Sequence, residues 1–340
     1  MKTADLSDIW RELRQCSPVP SRGFRMRQCG NSSHTRCYAA ISYPEGRFAF
    51  IMEVTSDGPR IRFSALSTRA FSVDYEDIDG IPAGSSALIL SLHDSDLSDL
   101  FAILCADLAS TISRTSAASA VPREVASVLE RWRAFLQRRS ALLTREEVRG
   151  LIGELITLAR LINLMGNEAA VTAWKGPIGG IRDFESDLIH AETKTFSPSA
   201  GASVYISDPL QLEAPTGHRL KLVCIAIDQS PSGSTLLQYV LAVESLLNSH
   251  SAAIDLFRHR VAAAGFLPSM AEALPETFVA FEPRVFEVRD GFPRILPGTI
   301  PPGVRLVRFA IELAVLGGFA IQTETAIGGK STSTLLGPLP

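Results

Sequence analysis

Residues 181–194 of this chain read Ile-Arg-Asp-Phe-Glu-Ser-Asp-Leu-Ile-His-Ala-Glu-Thr-Lys. The pattern predicts a strand ending in Asp183, a tight polar turn, and a second strand carrying Glu192-Thr193-Lys194. Side chains alternate faces along a strand, so Glu192 and Lys194 project from one face, and a hairpin would return Asp183 to the same spot. Two carboxylates beside an ammonium suit the holding of a divalent cation against a phosphodiester. The same residues could form only a surface salt-bridge ladder, since opposite charges on one strand face stabilise a sheet modestly.

A third acid changes the balance. Glu154 stands in Gly150-Leu151-Ile152-Gly153-Glu154-Leu155, where a carboxylate among apolar neighbours needs a partner. Gln211, in Asp208-Pro209-Leu210-Gln211-Leu212, falls just after the next strand and either supports this site or is an ordinary helix-start residue. His190 shares a strand face with Glu192 and either backs the acids or meets solvent or a neighbouring side chain. Glu185 and Asp187 flank the turn and read as turn residues. Gly176-Pro177-Ile178-Gly179-Gly180 lacks the Gly-Lys-Ser/Thr ending of a phosphate loop and reads as a loop near the site.

These residues need elements to carry them. Thr144-Arg145-Glu146-Glu147 is a capping-box pattern, and the apolar spacing behind it predicts a helix from there to about Met165, carrying Glu154. A loop is expected over 167–180, holding Trp174. Strands are expected at 204–207, 220–227, 278–282, 284–288 and 304–314, with one helix over 240–264. Upstream, 38–43 and 47–52 read as a hairpin, and 60–66 and 87–92 as further strands. A helix follows through Leu97, Leu100, Phe101, Leu104 and Leu108, and another starts at Pro122 with Arg131, Arg133, Arg138 and Arg139 on its polar face. That face, like Arg25, Arg27 and Arg36, could meet a phosphate backbone or simply be solvated. The expected organisation is an N-terminal β-rich accessory module over 1–118, a catalytic α/β domain over 119–322, and a disordered tail over 323–340.

Composition adds exclusions. A 340-residue chain with 46% hydrophobic and 20% charged residues is an ordinary folded protein. Its net charge of −3 provides no global basic footprint, so nucleic-acid contact would rest on local patches. The five cysteines show no CxxC pair; their odd number, with no signal peptide in view, leads us to expect a reducing cytoplasm. Cys29, His34 and Cys37 fit no standard zinc spacing. No apolar run is long enough to cross a membrane.

The order of helix glutamate, aspartate and Glu-x-Lys resembles the active core of the PD-(D/E)XK nucleases. The resemblance matches Glu154 to the helix acid, Asp183 to the motif aspartate, and Glu192 and Lys194 to the Glu-x-Lys tripeptide. Arg182 stands where the family name has proline. Gly150–Leu155, Trp174 before a Gly-Pro loop, Arg182-Asp183-Phe184, Leu97–Leu108 and 286–295 are similar to the branch labelled DUF4420, and the likeness runs to about residue 320. It implies a restriction-endonuclease-like α+β core with a mixed sheet flanked by helices. It also implies a Mg2+ site, open to Mn2+, formed by Asp183, Glu192, the Thr193 backbone carbonyl and Glu154. Lys194 would orient or help deprotonate the attacking water, with Gln211 in support. The expected activity is metal-dependent DNA endonuclease, working as a homodimer in restriction or anti-phage loci beside methyltransferase- or helicase-type proteins. A non-catalytic DNA-binding or assembly subunit with the same fold is the alternative, and action on RNA or single strands a third.

Overall fold

The computed structural model describes residues 3–321 except 18, 32–34, 56–60, 62, 64–69, 83, 137–141, 248 and 249. The strand expected at 60–66 falls largely among the omitted residues, as do His34, Arg138, Arg139 and the 323–340 tail. The chain divides into two compact units, Met1–Gln137 and Arg138–Pro340.

The first unit contains α1 (Thr3–Gln15), β1 (Gly23–Asn31), β2 (Arg36–Tyr43), β3 (Arg47–Thr55), β4 (Phe71–Glu76), β5 (Ser85–Leu92), α2 (Ser98–Arg114) and α3 (Val121–Leu136). Its five strands form one antiparallel sheet in the order β1-β2-β3-β5-β4. The fully apolar runs in β2, β3 and β5 make these the buried middle strands. Trp10 of α1 is 1% exposed, stacks on Phe48 and Phe101, and donates its indole N–H to the Ala49 carbonyl. Helix α3 packs on α2, with Trp132 Nε1 donating to Asp107 Oδ2 at 3.0 Å. It therefore lies in the first unit, although the sequence reading drew the boundary at 118/119.

The second unit contains α4 (Arg145–Met165), α5 (Asn167–Ala173), β6 (Phe184–Glu185), β7 (His190–Phe196), β8 (Ser203–Ile206), β9 (Leu220–Thr235), α6 (Leu236–Leu246), α7 (Ser251–Ala263), β10 (Thr277–Ala280), β11 (Arg284–Val288), β12 (Phe309–Glu312) and β13 (Ala320–Ile321). Its sheet runs β13-β11-β9-β7-β6, with β10 also on β9. The β7–β9 pair is parallel and the other pairs antiparallel, giving the mixed α+β core expected from the sequence.

Alternation along β7 and β9 divides the packing. Ala191, Val223 and Ile225 face the helices, where Leu151, Ile152, Leu155 and Leu158 of α4 meet Val240, Phe257 and Val261 of α6 and α7. Leu220, Leu222 and Cys224 face the other way, against Val204 and Ile206 of β8, Ile311 of β12 and Leu316. Strands β8 and β12 form a separate two-stranded ribbon over that face.

Three expectations are corrected. The 167–180 loop opens with helix α5, because Ala170, Val171 and Ala173 bury one side of a full turn. The helix expected over 240–264 is two helices, α6 and α7, and the capping box of Thr235 and Gln238 starts the first earlier. The 304–314 strand is paired only over Phe309–Glu312; a 3-10 turn follows from Leu313.

Candidate active site

Helix α4 starts where its sequence dictates. Thr144 Oγ1 accepts from the Glu147 N–H at 3.2 Å, and Glu147 Oε2 accepts from the Thr144 N–H at 2.8 Å, so the first turn's orphan donors are satisfied. The helix crosses β7 closely at Gly153, where an added Cβ would lie 2.4 Å from Thr195 Cγ2. Next to it, Thr157 Oγ1 donates to the Gly153 carbonyl at 3.0 Å and accepts from Thr193 Oγ1 at 3.1 Å. This places Glu154 at the edge of β7.

The hairpin is shorter than expected. No strand ends in Asp183: residues 181–183 are bends, and β6 is only Phe184–Glu185, paired with Ala191 and His190. The reason lies just upstream, where the N–H groups of Lys175 and Gly176 both bond to the Asp183 carbonyl, at 2.7 and 3.1 Å. With β6 starting only at Phe184, the Thr193 N–H goes to Asp183 Oδ2 at 2.8 Å. N–H and C=O of one strand residue point to the same edge. The Thr193 carbonyl therefore lies on the Asp183 side.

The remaining groups converge there. Glu192, 1% exposed, accepts from the Asp183 N–H at 3.3 Å through Oε2 and pairs with Lys194 Nζ at 2.7 Å through Oε1. Lys194 Nζ also donates to Gln211 Oε1 at 3.2 Å. Gln211 is held by Ser207, whose N–H and hydroxyl donate to the same oxygen at 3.2 and 3.1 Å. Glu154 Oε2 accepts from the Trp174 indole at 2.6 Å. A Cβ on Gly176 would sit 2.8 Å from both Glu154 Oε2 and Asp183 Oδ1, so these oxygens face a common space that only glycine leaves open.

Crowding of three acids around one ammonium sets their protonation. Burial, then the charge of Asp183, pushes Glu154 well above the ordinary carboxylate range, against the indole hydrogen bond. Asp183 is raised to about 6 by burial, with Lys194 and the Thr193 N–H opposing. Glu192 is raised to about 8 by burial and by Asp183, with Lys194 opposing. Such a surplus of buried negative charge is stabilised by a proton or by a cation.

The residues fit a hard cation. Every candidate ligand is an oxygen, from Glu154, Asp183, Glu192 or the Thr193 carbonyl, which is the donor set of Mg2+ or Mn2+. Among the described residues no group of three His, Cys, Asp or Glu side chains is already arranged as a metal cage. Mg2+ does not demand one, because it retains waters.

Four further residues shape the site without having been assigned to it from the sequence. The Trp174 indole needs a partner once buried, and the ring is 0% exposed, which was a signal for its bond to Glu154. Gly176 belongs to the loop that the sequence places near the site, while Ser207 gave no such signal. Arg182, at the position of the family's proline, is 6% exposed; its guanidinium donates to the carbonyls of Leu210, at 2.9 Å, and Glu213 and pairs with Glu185 at 3.1 Å. It thus ties the Asp183 segment to the turn bearing Gln211. His190 packs edge-on against His218, ring centroids 4.8 Å apart. Asp187 is exposed on the turn.

Among the described residues no helix is long and apolar enough to cross a membrane. No curated protein and no solved structure matches the chain. A family model described as "Putative PD-(D/E)XK family member (DUF4420)" matches residues 6–314. With that match covering most of its length, the chain belongs to the DUF4420 family.

Proposed function

We propose that this protein is a Mg2+-dependent endonuclease that hydrolyses DNA phosphodiester bonds. The observation that carries the reading is the ammonium of Lys194 fixed 2.7 Å from buried Glu192, in a cluster with Asp183 and Glu154 that sets three carboxyl groups against one ammonium. A module that only bound DNA would be repelled by these acids. Asp183, Glu192, Glu154 and the Thr193 carbonyl would hold the cation. A bound divalent cation supplies Lewis-acid polarisation of the phosphate and acidification of a water. Lys194 has three donors, of which two go to Glu192 and Gln211. The third would bond the attacking water or a phosphate oxygen and offset the charge that develops there. Gln211, anchored by Ser207, keeps the ammonium aimed.

Likeness to the family supports a setting in restriction or anti-phage defence in the cytoplasm, with methyltransferase- or helicase-type proteins as partners. Cutting both strands would call for a second copy of the chain. The test is incubation of purified protein with plasmid, linear duplex, single strands and RNA in Mg2+, Mn2+ or EDTA, beside Asp183→Ala and Lys194→Ala. Metal-dependent nicking lost in both variants is the expected result. Intact duplex under every metal would leave the non-catalytic subunit as the better reading, and variants that cut like wild type would overturn this site as the source of cleavage.

A further inference from the structure

The β8–β12 ribbon has one buried and one open face. Val204, Ile206 and Ile311 are 0%, 0% and 4% exposed in the core, so Ser203, Tyr205, Ala310 and Glu312 point outward. Tyr205 is 74% exposed, and its cross-strand partner is the small Ala310, which leaves the ring uncovered. The pairing stops at Phe309 and Ile206, so exposed Arg308 and Ser207 adjoin this end of the ribbon, Ser207 two residues beyond Tyr205. Ser207 bonds Gln211, and Gln211 accepts from Lys194 Nζ. Two residues of chain span at most about 7 Å, so Ser207 stays near Tyr205. The acid on this face, Glu312, lies opposite Ser203, at the end farther from Lys194.

An aromatic face and a guanidinium thus form a strip at the end of the ribbon, and that end leads through Ser207 and Gln211 to the Lys194 ammonium. We propose that this strip binds an unpaired nucleotide of DNA adjacent to the scissile phosphate, with Tyr205 stacked on the base and Arg308 on the flanking phosphate. The proposal rests on the nuclease reading for its position and deepens it by naming the substrate class. A base inside a duplex already has both faces covered by its neighbours. Tyr205 gains a face to stack on only where a nucleotide is unstacked, at a single-stranded, gapped or frayed site. Arg308 adds the sequence-independent charge contact that fixes register.

The test uses the full chain with Ca2+ in place of Mg2+, fluorescein-labelled oligonucleotides and a 2-aminopurine single strand. Wild type should bind single-stranded or gapped DNA more tightly than blunt duplex, and should quench 2-aminopurine emission. Tyr205→Ala should weaken single-strand binding about tenfold or more and restore the emission, while Tyr205→Phe keeps the ring and stays within about twofold. Arg308→Gln should make the salt dependence shallower by about one counterion. Both positions are exposed, so the variants should melt like wild type. Equal affinity for blunt duplex, unchanged binding and quenching in Tyr205→Ala, or no DNA binding at all would overturn the proposal. Cleavage is scored separately, with Lys194→Ala as its control. A chain that binds and quenches but never cuts keeps the strip and loses the nuclease; one that cuts regardless of Tyr205→Ala loses the strip alone.

Discussion

The Trp174 indole N–H donates to Glu154 Oε2 at 2.6 Å, across 20 residues of sequence and two elements. It opposes the burial that favours the protonated acid. Trp174→Phe keeps an aromatic ring but removes the donor, leaving Glu154 without that hydrogen bond. Unfolding in urea should show a loss of about 1–3 kcal/mol, as for a buried polar group stripped of its partner. Calorimetry should show weaker Mg2+ binding, since Glu154 would hold its proton more tightly.

Stability should fall with pH when cation is absent. Asp183 and Glu192 have folded values raised to about 6 and about 8, both above their unfolded values. Between the unfolded and folded values the native state binds more protons, so rising pH favours unfolding. In EDTA the melting temperature should drop from pH 5.5 to 8.5. Added Mg2+ should restore more of it at pH 8.5 than at pH 5.5, because deprotonated acids bind the cation. A Mg2+ effect independent of pH would contradict a site formed by these carboxylates.

Gly176→Ala would put a methyl group 2.8 Å from Glu154 Oε2 and Asp183 Oδ1. We expect metal-dependent cleavage to fall at least about tenfold, a loss of about 1.4 kcal/mol or more in transition-state stabilisation. Circular dichroism should be unchanged, because the intrusion meets side-chain oxygens of the site.

Two glycines of α4 should respond in opposite directions. A Cβ on Gly150 meets nothing within 4 Å, so Gly150→Ala should stabilise by about 1 kcal/mol through helix propensity. A Cβ on Gly153 would be 2.4 Å from Thr195 Cγ2, so Gly153→Ala should destabilise by about 1–3 kcal/mol. Urea titration of both variants reads the contrast directly.

Local rules made part of this architecture legible in advance. Thr144 and Glu147 announced the start of α4, and period-two alternation placed Glu192 and Lys194 on one face, because both depend on neighbours close in sequence. The extent of β6, the break between α6 and α7, and the short pairing of β12 were not legible. The two strand limits depend on where hydrogen-bond partners from distant segments stop.

For the candidate site, the sequence by itself determined the inventory: a helix acid, an aspartate before the turn, and an acid and lysine two residues apart, in that order. Tertiary structure decided how they meet. It brought the Asp183 carboxylate onto the Thr193 N–H, Trp174 onto Glu154, and Arg182 onto the carbonyls beside Gln211. Charge type and spacing are properties of a local stretch of chain. Burial, the raised protonation of the acids and the cradle at Gly176 arise only when segments 10 to 30 residues apart are packed against one another.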